Sequence, residues 1–214
     1  MILHRLPRMR DGGVTAQQAF GGTLHVNERY SQLHDAHVSA SAGRLGSPLP
    51  VEVYCHSLTD DSILPATLRD SGAHTLTAFS LQSPHRLLSG DKDADRQRLQ
   101  DAVLESINSV LAEPLQDCLT ADSSGNPCIE TRTTADLAAE LGMPGGHIFH
   151  GPLSWPFAED SAALDTPAER WGVATGYPRI LLCGSGARRG GGVSGLAGHN
   201  AAMALLEGHR GTPY

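Results

Sequence analysis

The chain has 214 residues and a mass of 22.6 kDa, enough for one large domain or two small ones with a buried core. Sixteen Lys and Arg against 23 Asp and Glu give a formal charge of -7, which excludes a global electrostatic footprint for nucleic acid, and 40% apolar with 18% charged residues excludes a disordered chain. No apolar run approaches the roughly 18 residues of a membrane span, the opening residues hold no stretch of secretory-signal length, and Cys55, Cys118, Cys128 and Cys183 show no C-x-x-C spacing, so a cytoplasmic protein with reduced thiols is expected.

Residues 1–20 lack periodicity and read as an irregular N-terminal segment. After Gly21-Gly22, Thr23-Leu24-His25-Val26 predicts a short strand. Over 28–42, Tyr30, Leu33, Ala36, His37 and Ala40 fall near one helical face, and Gly43 with Gly46-Ser47-Pro48 stops that helix. Val51, Val53 and Cys55 alternate through 50–58, predicting a strand; a long turn from Asp60 to Gly72 leads to a second strand over 74–81. The strongest helix is 93–112, with Leu99, Val103, Ile107, Val110 and Leu111 as its stripe, ended by Glu113-Pro114. Ile129 to Thr133 predicts a strand, and Thr133-x-x-Asp136 opens a short helix through Leu141. Gly145 to Gly151 reads as a strand between glycines, 151–178 as an irregular connection, Arg179 to Cys183 as an apolar strand, and 194–207 as a helix. Strand, helix, strand, strand, helix, strand over 23–133 is a split βαβ order. The expected class is α+β, a mixed and mainly antiparallel sheet backed by helices.

Eleven histidines raise the question of a metal. His34 and His37 share a helical spacing, and His147 and His150 lie three apart on the expected strand, but no H-E-x-x-H or dense Cys/His pattern occurs, and no metal site is expected. Ser185 and Ser194 sit among glycines without forming G-x-S-x-G, and Asp60-Asp61 reads as a solvated turn. The informative stretch runs from Ile180 to Ala202: an apolar strand, a glycine loop, then a helix of small residues. Glycine lets backbone N–H groups approach a ligand closely, and the following helix start carries free donors and partial positive charge. Together these suit an anion or a carbonyl edge. A P-loop is excluded because the only lysine is Lys92. Gly184-x-Gly186 begins a dinucleotide fingerprint, but Arg stands at 189 and no second strand follows. A glycine turn that merely packs helix on strand is the other reading.

The run Leu182-Cys183-Gly184-Ser185-Gly186, Gly190-Gly191-Gly192-Val193-Ser194-Gly195 and Asn200-Ala201-Ala202 resembles the C-terminal flavin motif of phytoene desaturase-like FAD-dependent oxidoreductases, in the branch of pyridine nucleotide-disulfide oxidoreductase domain-containing proteins. Gly145 to Gly151, and Ser57 to Pro65 followed by Gly72-Ala73-His74, are similar to the same branch, so that the resemblance spans 21–208. It implies that 21–150 is a substrate domain and that 179–214 is the C-terminal part of an FAD-binding, Rossmann-like domain whose N-terminal G-x-G-x-x-G half is absent from this chain. It further implies a partial FAD site: Gly184, Ser185 and Gly186 along the pyrophosphate or ribityl chain, and Gly191, Gly192 and Val193 with N–H groups near the isoalloxazine. Ser185 stands where related flavoproteins often carry an acidic residue. The implied function is to cover a hydrophobic small-molecule substrate and close the flavin site, with a Rossmann half or separate subunit as partner and self-association where that partner is missing. No acid or base is identified; His150 is the candidate. The alternative is a non-catalytic, truncated or split-subunit module that binds a partner protein and no flavin by itself.

Overall fold

The computed structural model describes residues 1–150, 155, 157–159, 162, 164–188 and 194–210. It divides into two compact units, Met1–Thr133 and Thr134–Tyr214. No helix among the described residues is long and apolar enough to cross a membrane.

In the first unit the alternation read from the sequence becomes a three-stranded antiparallel sheet. Its strands are β2 (Thr23–Val26), β3 (Val51–Tyr54) and β5 (Thr77–Ser80), in the order β2-β3-β5. Val26 faces Val51, and Val53 lies between Leu24 and Ala78. Val26, Val51 and Val53 are buried to within 1%, while Thr23, His25, Glu52, Tyr54, Thr77 and Phe79 occupy the opposite, solvent-side face, as a period of two requires. The 17-residue helix α4 (Lys92–Asn108) sends Leu104 and Ile107 into the same core as those valines, with Leu111, Leu115 and Cys118 just beyond it. Its start is secured by Asp91, which accepts from the Ala94 amide at 3.1 Å, and by buried Asp95, which accepts from the Ser89 and Gly90 amides. Helix α2 (Tyr30–Ser41) buries only Ala36 and Ala40. A Cβ on Gly46 would come within 3.1 Å of the Ala36 Cβ, so the loop after α2 passes that small face closely.

The α+β class expected from the sequence is what the structure has, and the strand order within it departs from a split βαβ unit. β3 pairs directly and antiparallel with β2, the strand before α2, where a split unit would insert another strand between them. The fourth strand expected at Ile129–Thr133 does not form. Cys128 already spends its amide on the Thr120 carbonyl and its carbonyl on the Ile2 amide, and beyond it the chain leaves the ladder. A separate two-stranded sheet draws in N-terminal residues that lacked any periodic signal. Strand β1 (Ile2–Leu3) pairs with β4 (His74–Thr75) on one side and bridges Leu119 on the other, with Leu3 fully buried. Helix α1 (Ala16–Phe20) starts in a capping box made by Thr15 and Gln18 and buries Phe20. The strand expected over 74–81 is split at Leu76, whose amide donates to the Met1 carbonyl at 3.0 Å. Helix α3 (Ala66–Asp70) occupies part of the turn that precedes it.

In the second unit, α5 (Thr134–Leu141) and α7 (Leu196–Arg210) stand where the sequence puts them, and α6 (Pro167–Arg170) opens in a capping box of Thr166 and Glu169. Ala197, Ala201 and Ala204 line the buried stripe of α7 and meet Val173, Ala168, Trp171 and Leu181. Two expected strands are absent. Residues 145–150 form successive tight turns instead, because Gly145, Gly146 and His150 all have φ near +60° (61, 64 and 62°), a region closed to extended backbone; Gly151 lies outside the described residues. Residues 179–183 make a single bridge, Leu181 to Ala174, with the Leu182 amide donating to Val173. Without a longer partner no ladder develops, and Ile180 and Leu182 stay 55% and 41% exposed.

Candidate functional site

The site suggested by the glycine run lies in the second unit. From Leu182 the chain passes exposed Cys183 into a turn closed by the Ala187 amide, which donates to the Gly184 carbonyl at 3.0 Å. Ala187 is buried and anchors the turn, whereas Gly184 and Gly186 are exposed. Among the described residues, the Ser185 and Gly186 amides make no backbone hydrogen bond. A Cβ on Gly184 would stand in open space, whereas one on Gly186 would meet the His150 Cβ at 3.3 Å. The turn is therefore open on one side and pressed against His150 on the other. His150, the sequence's candidate acid or base, is brought to the glycine turn and takes φ 62°, its amide donating a hydrogen bond to the His147 carbonyl at 2.8 Å.

Two further features complete this region. Arg188 donates to the Trp155 and Phe157 carbonyls at 3.3 Å each, and those two rings lie 5.4 Å apart, 70% and 64% exposed. Gly195 takes φ +73° before α7, the Ser194 hydroxyl accepts from the Leu196 amide, and a Cβ on Gly198 would lie 3.8 Å from the Cys183 carbonyl. The first turn of α7 thus runs beside the chain that enters the glycine turn. Gly184, Ser185 and Gly186 are accordingly placed as one exposed turn; Gly191, Gly192 and Val193 lie outside the described residues.

Several residues here carried no sequence signal. Glu207 of α7 accepts from Arg170 Nε at 3.0 Å and from Trp171 Nε1 at 2.8 Å, and these bonds, Arg170 first, hold its carboxyl below the usual range. That pair of bonds clamps α6 to α7. Beside the clamp is a cleft of about 490 Å³ walled by Pro167, Ala174, Tyr177, Ile180, Leu205 and His209. A partner 37 residues away in sequence, as Arg170 is to Glu207, leaves no local pattern to read.

The remaining candidates sort by geometry. Asp60 is a turn cap: it accepts from the Ser62 amide at 3.0 Å, and its pKa is lowered by the Ser62 side chain first and that amide second. Cys55 and Cys118 are buried, and burial pushes both thiols up, away from nucleophilic character. Neither His34 with His37 nor His147 with His150 belongs to a group able to hold a metal ion among the described residues; His25, Glu28 and Glu52 do form one.

Comparison with known proteins gives a consistent direction. The chain is 63% identical over 206 residues to an uncharacterized protein of Mycobacterium tuberculosis and, at the same identity, to one of Mycobacterium bovis, covering 96% of this chain and 38% of each relative. It is 31% identical over 185 residues to the rat pyridine nucleotide-disulfide oxidoreductase domain-containing protein 2, covering 84% of this chain and 29% of that protein. The mouse protein of the same name is 29% identical over 189 residues. The chain thus spans under two fifths of the length of the curated relatives it matches. No family model matches, and no solved structure does. The distant similarities are thus to proteins named for a pyridine nucleotide-disulfide oxidoreductase domain.

Proposed function

We propose that this chain is the substrate-covering and flavin-closing portion of an FAD-dependent oxidoreductase of the phytoene desaturase-like kind. The observation that carries the reading is the exposed glycine turn at Gly184 to Ala187, in which two amides make no backbone hydrogen bond among the described residues, set beside the first turn of α7. Residues of this type fit the group: two amides and the Ser185 hydroxyl are donors for a phosphate or a ribityl hydroxyl, and the open side of Gly184 leaves room for a cofactor to lie along the backbone. Bound FAD would supply the hydride acceptor for oxidation of a carbon–hydrogen bond. The chain's own residues would orient and insulate it. Ser185 and Gly186 would fix the polar chain, the positive end of α7 would favour negative charge at the flavin edge, and Trp155 with Phe157 would present an apolar face toward substrate. His150 would act as a positioning residue that supports Gly186.

The absorbance spectrum of the purified chain tests this, taken alone and after co-expression with a dinucleotide-binding half. The expected result is a colourless chain alone and a flavin spectrum in the complex. Stoichiometric flavin on the chain alone, or a stable complex without flavin, would overturn it. The second outcome is the one anticipated by the partner-binding alternative, which draws its support from Ile180, Leu182, Leu196, Leu205 and Leu206, all exposed in the second unit.

A further inference from the structure

The solvent-side face of the sheet in the first unit holds a group that the flavin reading does not use. His25 on β2 and Glu52 on β3 are direct cross-strand partners, so their side chains rise from the same face as neighbours. Asn27 then takes a left-handed conformation, φ 57°, and the chain turns so that Glu28 returns to the pair. Glu28 Oε2 lies 2.7 Å from His25 Nδ1. One ligand atom from each of His25, Glu28 and Glu52 lies within 4.8 Å of the others.

Two carboxylates at this separation repel each other unless a cation lies between or beside them. Among the described residues the only ion pair these three make is His25 with Glu28. The Glu28 side chain is only 12% exposed, and its second oxygen, Oε1, is closed to solvent and has no hydrogen-bond partner among the described residues. A carboxylate oxygen so placed is costly unless something positive satisfies it. Glu52 is meanwhile oriented by Tyr54, whose hydroxyl donates to Glu52 Oε2 at 2.8 Å, and a hydrogen bond of this sort commonly fixes a metal-binding carboxylate.

We propose that His25, Glu28 and Glu52 bind one divalent first-row transition ion of the zinc class, with water completing the coordination on the exposed side of His25. The donor set selects the ion. One imidazole with two carboxylates suits zinc and its neighbours, whereas calcium and magnesium favour all-oxygen shells. Three protein ligands and an open position leave the ion accessible, and the ion ties the turn before α2 to β3.

Titration of the 214-residue chain with Zn²⁺ by calorimetry, with Co²⁺ absorption as a spectroscopic reporter, tests the proposal. One Zn²⁺ per chain is expected at this site, weakened about tenfold or more in His25→Ala, Glu28→Gln and Glu52→Gln and about tenfold in Tyr54→Phe. His25 has a half-exposed side chain, so its variant should fold as the parent does and carries the test if a buried substitution does not. Absence of Zn²⁺ binding would overturn the proposal. So would wild-type affinity in His25→Ala, loss of binding in the double variant His34→Ala/His37→Ala instead, or equal binding of Mg²⁺ or Ca²⁺.

Discussion

Glu113 shows how much a single side chain can organise. It accepts from Arg5 Nη1 and Nη2, at 2.7 and 3.0 Å, and from the Arg8 amide at 2.9 Å, and these bonds, Arg5 first, bring its pKa down to about 2 from an ordinary 4.5. A carboxyl depressed on folding contributes stability that is fully present above the unfolded value and is lost as pH falls through the folded one. The urea midpoint followed by circular dichroism should therefore drop between about pH 5 and pH 2, and Glu113→Gln should flatten that part of the curve. Ser106 has a comparable task inside the core. Its hydroxyl accepts from the Leu49 amide at 3.1 Å and donates to the Leu49 carbonyl at 2.6 Å. Ser106→Ala orphans both groups and should cost roughly 1–3 kcal/mol in urea unfolding. Gly146 is constrained twice over: φ is +64°, and a Cβ would lie 2.6 Å from the Thr134 Cα. Gly142, with φ +66° and open space around it, isolates the first effect. Gly142→Ala should cost roughly 1–2 kcal/mol for the left-handed conformation, and Gly146→Ala distinctly more, read by the fluorescence of Trp155 and Trp171, the only tryptophans.

Among the elements, the longer helices were legible, the short helices α1, α3 and α6 were not, and neither was the pairing of strands. Helices α2, α4, α5 and α7 lie close to their expected limits because an apolar stripe, a cap and a stop are local properties. The strands expected at 129–133 and 179–183 fail for a shared reason: a segment with strand-forming residues becomes a strand only where a neighbour accepts its hydrogen bonds. The run at 145–150 fails differently, since its glycines are used for left-handed turns and for contact with α5. Helix α7 depends on a distant partner in α6. Glu207→Ala removes the acceptor of Arg170 Nε and Trp171 Nε1, so tryptophan fluorescence should report unfolding of the second unit at a lower urea concentration than in the parent. An unchanged midpoint would mean that the apolar stripe of α7 holds α6 without the clamp.

For the molecule as a whole, the contrast between the two units bears on the proposed function. The first unit has a core of Leu3, Phe20, Val26, Val51, Val53, Leu76 and Ile107, all 1% exposed or less. Among its described residues the second has three buried ones in its core cluster, Val173, Ala201 and Ala204, and leaves Leu141, Ile148, Ile180, Leu196, Leu205 and Leu206 more than half exposed. Apolar surface of that kind favours association. Sedimentation of the chain at rising concentration should show self-association, reversed when a dinucleotide-binding half is supplied; a monomer at all concentrations would argue that this surface needs no cover.

Composition, periodicity and caps were enough to establish an α+β chain, its principal helices and a glycine loop ahead of a small-residue helix, because each rests on residues adjacent in sequence or one turn apart. The glycine turn's contact with His150, the Glu207 clamp and the burial of Leu3 depend on residues brought together from distant positions. The same holds for the triad on β2 and β3: His25 and Glu28 are three apart and readable as a pair, but Glu52 joins them only through the strand register. Register is set by which face is buried and by the turns that close the sheet, and both are properties of the folded chain.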